Sequence, residues 1–196
     1  VKVFMEEREG VFNFFIDKSK SMDYGLVNKK DTALKIVAAL SYIALNNLDR
    51  VNISTMDSGN IENIKSAAGN KAFQRILREL DSLEFKGSTD LTKSIKKRPL
   101  THRGVSVVVS DFFNNYGLKY LEEALKYLAF KKQEIILVQI LSEEEINPEF
   151  SNEITFIDSE TNEAVKMSLT PNVIKEYKKA LKVYKKSVQK YVKMLL

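Results

Sequence analysis

Val11-Phe12-Asn13-Phe14-Phe15-Ile16-Asp17-Lys18-Ser19-Lys20-Ser21-Met22 is the stretch whose reading decides the fold. Its apolar, β-favouring run is too short for a buried helix and is bounded by charge, so it predicts a buried central strand that ends at a carboxylate, Asp17. In an open parallel sheet, ligands gather outside the carboxyl ends of the strands. Alternation along an extended turn points Asp17, Ser19 and Ser21 the same way. Three hard oxygen donors at one spot suit a hard cation such as Mg²⁺ better than a soft or nitrogen-seeking metal.

The chain on either side repeats that plan. Residues 2 to 8 read as a short edge strand or lead-in, and Glu9-Gly10 turns into the central strand. Downstream, Asp31 is positioned to cap a helix from Thr32 to Asn46 that has almost no polar face and should be largely buried. Val51 to Met56 alternates with period two, and Ser58-Gly59-Asn60 returns it into Ile61 to Ala67 as an antiparallel edge strand. An amphipathic helix over Lys71 to Leu83 turns Phe73, Ile76, Leu77 and Leu80 inward. A glycine-bearing loop, Phe85 to Asp90, then leads to a short basic helix from Leu91 to Lys97, with Asp90 as its cap and Pro99 as its stop. Val105 to Asp111 is a second apolar strand ending in a carboxylate. Leu118 to Phe130 is helical, and Glu134 to Leu141 is another strand.

Strands alternating with helices predict an α/β fold with a doubly wound, mostly parallel sheet and flanking helices. The last third departs from that rhythm. Glu143 to Pro148 is an acidic loop or helical turn, and Ile154 to Ile157 pairs with Ala164 to Met167 as a hairpin. Thr170 and Pro171 open a final amphipathic helix whose apolar stripe, Val173, Ile174, Tyr177, Leu181, Tyr184, Val188, Tyr191 and Val192, is read as core packing.

Composition narrows the chemistry. The chain has 196 residues, enough for one well-buried domain spanning 1–196, and nothing in it resembles an interdomain linker. It lacks cysteine and has a single histidine, His102, so thiol nucleophiles and Cys/His zinc sites are set aside. His102 is read as an exposed turn residue. The net charge of +5 arises from 31 basic and 26 acidic residues. The lysine clusters at Lys29-Lys30, Lys93 to Arg98, Lys131-Lys132 and Lys175 to Lys193 have helical spacing and read as solvated faces, so no nucleic-acid partner is expected. No apolar run is long enough to span a bilayer. The start at Val1 suggests a piece of a longer protein.

Three separated segments then form a recognisable set. Asp17-Lys18-Ser19-Lys20-Ser21, Thr89 within Gly87-Ser88-Thr89-Asp90-Leu91, and Asp111 within Val109-Ser110-Asp111-Phe112 resemble the metal-ion-dependent adhesion site of von Willebrand factor type A (vWA) domains. The resemblance covers nearly the whole chain. It is closest to a bacterial branch of unknown function, domain of unknown function family 58, usually encoded beside MoxR-type AAA+ ATPases. Asp49-Arg50-Val51 after the hydrophobic helix and the late Phe156-Ile157-Asp158-Ser159-Glu160-Thr161 hairpin are typical of that branch.

The resemblance implies that Ser19, Ser21 and Thr89 bind Mg²⁺ or Mn²⁺ directly while Asp17 and Asp111 hold its waters, with the site empty in some states. A partner protein's Asp or Glu would complete the coordination, and a MoxR-type ATPase is the implied partner. Lys20, Met22, Ser88, Phe112, Phe113 and Asn114 are the expected partner-contacting residues around the site. Strand alternation should turn Lys18 and Lys20 away from the ion. The implied location is the bacterial cytoplasm, with any membrane tether supplied by segments outside this chain.

No catalytic residue is assigned, and two rival readings are carried. In the first, Asp17 is the nucleophile of a Mg²⁺-dependent phosphohydrolase. That motif favours Asp-x-Asp, whereas Ser19 stands at the second position, and no lysine-plus-acid pair is evident from the sequence. The second is nucleic-acid binding through the basic helices.

Overall fold

Strand β1 (Val11–Asp17) occupies the centre of a five-stranded sheet of order β3-β2-β1-β4-β5. This is a computed structural model, and it describes residues 9–113, 117–148, 151–157 and 164–193. β1 pairs in parallel with both β2 (Arg50–Asp57) and β4 (Gly104–Ser110), and β4 pairs in parallel with β5 (Gln133–Gln139). β3 (Asn60–Ala68) returns antiparallel to β2 and forms the predicted edge. The two-residue turn between them places Ser58 and Gly59 at positive φ, the left-handed pair that matches strand twist. The α/β, doubly wound architecture is as expected, with each strand one or two residues longer or shorter than its apolar run.

Alternation along β1 and β4 divides the core in two. Phe14, Ile16, Val107 and Val109 face one side, where they pack with Ala33, Val37, Ala44 and Leu45 of α1 (Lys29–Asn46) and Ile76 and Leu80 of α2 (Phe73–Asp81). Phe15 and Val108 face the other, against Leu91 and Ile95 of α3 (Leu91–Lys97) and Leu121, Ala124, Leu125 and Leu128 of α4 (Leu118–Phe130). The two central strands approach closely at their start. A Cβ built on Gly104 would lie 2.3 Å from the Val11 carbonyl oxygen.

Three expectations need correction. α1 begins at Lys29, because the Asn28 side chain, not Asp31, accepts from the Lys30 N–H and caps it. That helix is also not apolar-buried all round. Its inward stripe is Ala33, Val37, Ser41, Ala44 and Leu45, while Tyr42 and Ile43 are exposed because only one face meets the sheet. The third concerns α6 (Pro171–Lys193), which packs through Leu181 and Val188 but leaves Val173 and Tyr177 exposed in its first turns.

Other details agree. Asp90 accepts from Lys93 N–H and caps α3, Thr170 Oγ1 accepts from Val173 N–H at the start of α6, and Ser142 with Glu145 forms a capping box on the short α5 (Glu143–Ile146). β6 (Ser151–Ile157) and β7 (Ala164–Leu169) make a separate antiparallel pair. The lead-in at 2–8 and the hairpin tip at 158–163, including Asp158 to Thr161, lie outside the described residues.

Candidate metal centre

The strand order reverses direction between β1 and β4, so a crevice opens outside their carboxyl ends. Asp17 closes β1 and Asp111 follows β4, which brings the two acids to that crevice from strands that pair directly. Asp17 is 4% exposed and both its oxygens are engaged: Oδ1 accepts from Ser19 N–H at 3.0 Å and Oδ2 from Ser110 Oγ at 2.6 Å. The Thr89 hydroxyl lies within hydrogen-bonding range of the same carboxylate and 3.2 Å from the Met56 carbonyl. Ser19 Oγ and Ser21 Oγ are 3.0 Å apart.

Backbone bonds hold the donor loops together. Lys20 N–H donates to Gly87 O and Lys86 N–H to Lys18 O, each at 2.9 Å, while Ser58 N–H donates to Ser88 O at 2.8 Å. The Asp-Ser-Ser turn and the Ser88-Thr89 loop are thereby locked in register. Phe112 takes a left-handed backbone, φ 60°, uncommon for a bulky residue and a form of stored strain that clusters at functional sites. Three partners over-determine it: its N–H donates to Ser110 Oγ, the Phe113 N–H donates to Asp111 Oδ1, and the Tyr184 hydroxyl donates to its carbonyl.

The structure therefore gathers Asp17, Ser19, Thr89 and Asp111 with Ser21 at one rim, and it separates the other expected contacts. Met22 is fully buried in the core beside α1, and Phe112 is fully buried against α3 and α4, so neither offers a docking surface. Met22 is drawn inward by the 3-10 turn Lys20–Met22, and Phe112 by its left-handed backbone. Lys20 and Phe113 are exposed, with the Phe113 ring tilted against Tyr184 at a centroid distance of 5.4 Å, and Ser88 is half-buried. Asn114 lies outside the described residues. Lys18 turns away as alternation requires, its Nζ meeting Glu62 at 3.0 Å and Asp57 at 3.6 Å.

Lys29 is the largest addition. Read as part of a solvated cluster, it is instead 1% exposed, and its Nζ lies 2.8 Å from Asp111 Oδ2 and 2.6 Å from Glu145 Oε1. Lys29 thus joins Asp111 and Glu145 in a buried lysine-plus-acid cluster built from residues distant in sequence. With the helix start read at Thr32, the sequence carries no signal for it; in the structure Lys29 is the first residue of α1, where the helix dipole disfavours a cation unless a carboxylate compensates it.

Electrostatics at the rim follow from this wiring. Burial, reinforced by the charge of Asp111, pushes the Asp17 carboxyl above its ordinary value despite the bonds from Ser110, Thr89 and Ser19. Burial opposes the charge on Lys29, but Asp111 and Glu145 outweigh it and raise the ammonium. Burial and the Asp111 charge push Tyr184 up to about 12.

The donor chemistry suits a hard cation. Ligands about 2.1 Å from Mg²⁺ at right angles stand about 3.0 Å from each other, and the Ser19 and Ser21 hydroxyl oxygens are 3.0 Å apart. Among the described residues, no group of three or more His, Cys, Asp or Glu side chains assembles as an alternative metal site.

Comparison with known proteins bears on the fold. The family described as "Protein of unknown function DUF58" matches residues 1–187. No curated protein matches the chain. Among solved structures, the conserved hypothetical protein BatB from Bacteroides thetaiotaomicron superposes with a TM-score of 0.55 at 15% identity, covering 94% of this chain and 99% of that one. An aerotolerance-related membrane protein from Bacteroides fragilis gives 0.53 at 12% identity, over 92% of this chain and 99% of that one. The SpRpn10 VWA domain gives 0.49 at 15% identity, over 68% and 77%. The chain shares the fold of BatB and of the aerotolerance-related protein. No described helix is long and apolar enough to cross a membrane.

Proposed function

Because the chain belongs to the DUF58 family, whose description assigns no activity, we propose a function from the rim itself: a divalent-cation site that captures an acidic side chain of a protein partner. The observation that carries this reading is the pair of serine hydroxyls, 3.0 Å apart, beside the buried Asp17 at the sheet's switch point. Ser19, Ser21 and Thr89 would hold Mg²⁺ or Mn²⁺, and Asp17 and Asp111 would orient its waters. A bound cation would supply an electrophilic vacancy for the partner's carboxylate, because neutral hydroxyls donate little charge to it.

The local charge supports the same reading. Asp17, Asp111 and Glu145 carry three negative charges when ionised and Lys29 carries one positive, leaving two to be matched. One divalent ion matches them. Lys29 also fixes Asp111 from behind, so that its carboxylate cannot swing out of the rim.

Around the rim, Lys20 and Phe113 are exposed and Ser88 is half-buried, leaving a polar and aromatic border for the partner. By the family resemblance that partner is a MoxR-type AAA+ ATPase, and the chain acts non-enzymatically as a single vWA-like domain in the assembly or maturation of a complex. Asp17→Ala or Thr89→Ala should abolish Mg²⁺-dependent capture of that ATPase while leaving the fold intact. Undiminished capture in the presence of a chelator would contradict the proposal.

The buried Lys29 beside Asp111 gives the phosphohydrolase reading one supporting observation. Against it, the Asp17 carboxylate is buried and already accepts a hydrogen bond at each oxygen, which blunts it as a nucleophile. Turnover of a generic phosphate ester, lost in Asp17→Asn, would favour the enzyme.

A further inference from the structure

At the opposite end of the sheet, where β1 and β2 begin and the chain enters β4, lies a cavity of about 480 Å³. We propose that it is a second, metal-independent site for a small organic phosphate. Arg50, Arg98 and Arg103 line it together with His102, over a floor that includes Asn13 and Asn52. Among the described residues of the lining, Glu9 is the one carboxylate, and it pairs with Arg50 at 3.2 Å. Two guanidinium groups are left over.

Arg98 is the telling residue. Among the described residues its Nε is buried with no acceptor, and its Nη1 donates to the neutral amide oxygen of Asn63. Among the described residues no carboxylate forms an ion pair with Arg98 or Arg103. A half-buried cation with an orphaned N–H is costly unless an anion completes it. Burial accordingly depresses Arg98 below its ordinary value with no counter-charge to offset it.

Two uncompensated guanidinium groups call for two negative charges, which a phosphate monoester carries on one group. The planar fork of arginine matches such oxygens in pairs. The cavity exceeds a bare phosphate and falls in the range that holds a whole small molecule. Its floor is rigid: Asn52 Nδ2 donates to Asn13 Oδ1 at 2.9 Å, Asn13 Nδ2 to Gln133 Oε1 at 3.1 Å, and Gln133 Nε2 to the His102 carbonyl at 2.7 Å.

The test is calorimetric titration of the full chain, in metal-free buffer, with adenosine monophosphate, inorganic phosphate, and succinate as a dicarboxylate of equal charge. Saturable binding of the monophosphate is expected, weaker for inorganic phosphate and weakest for succinate. Arg103→Gln, at an exposed position, should weaken it about tenfold, the loss of one charge-assisted pair. Arg98→Lys, which keeps the charge and loses the fork, should weaken it too. Asp17→Ala should leave it unchanged, so this site and the metal rim stand or fall separately. Absence of saturable binding, equal binding of succinate, or an unchanged Arg103→Gln would overturn the proposal.

Discussion

Replacing Lys29 by methionine tests how the rim is held. The ammonium is 1% exposed and bridges Asp111, which is fully buried, and Glu145, which is partly open to solvent. Methionine fills much of the same volume, so the loss is mainly electrostatic. Removing one partner of a buried pair leaves an uncompensated charge, which costs about 3–5 kcal/mol. In a chain of this size each kcal/mol moves the melting temperature by about 2–4 °C, so the midpoint should fall by roughly 6–20 °C. Urea unfolding should report the same free energy. The uncompensated negative charge at the rim rises from two to three, so Mg²⁺ should raise the midpoint of Lys29→Met more than that of the wild type. A double cycle with Asp111→Asn isolates the pair, and its coupling should exceed about 1 kcal/mol. A loss below about 1 kcal/mol with no coupling would refute the reasoning, because a cation that can be removed so cheaply is not buried among carboxylates.

Further perturbations probe other joints. Gly104→Ala places a Cβ 2.3 Å from the Val11 carbonyl, so β1 and β4 must separate; a loss of about 1–3 kcal/mol is expected in urea melts, and wild-type stability would contradict the close approach. Tyr184, raised to about 12, favours its protonated form in the fold. Its contribution is therefore fully present below the unfolded tyrosine value of about 10 and is lost as pH rises towards 12. Thermal melts across that interval should fall more steeply for the wild type than for Tyr184→Phe. Asn28→Ala removes the cap that starts α1 one residue before Lys29, and should cost about 1 kcal/mol by chemical unfolding, with the helix start fraying around the buried ammonium.

Much of the fold was legible because its signals are local. The apolar runs ending at Asp17 and Asp111, the caps at Asp90 and Thr170 and the Ser58-Gly59 turn each announce an element within a few residues. The proximity of the rim residues was legible in part, since Asp17, Ser19 and Ser21 share one short segment and the pairing of β1 with β4 brings Asp111 beside Asp17, while Thr89 comes from the loop before α3. What escaped is set by tertiary contact. Lys29 looks like any surface lysine until α5 delivers Glu145 across 116 positions. Phe112 and Met22 lie next to site residues in sequence, yet backbone conformation turns both inward. The cavity around Arg98 draws on strand starts and a loop that carry no motif, so only packing could bring its arginines together.

The most direct measurement is a titration of the full chain with Mn²⁺, followed by electron paramagnetic resonance and by the melting temperature. One saturable site is expected, with a midpoint raised by about 5–11 °C when the cation stands at a hundred times its dissociation constant. Both responses should vanish in Thr89→Ala and in Ser19→Ala while the metal-free melt stays close to wild type. No saturable site, or an undiminished one in both variants, would mean that the hydroxyls at this rim do not hold a cation.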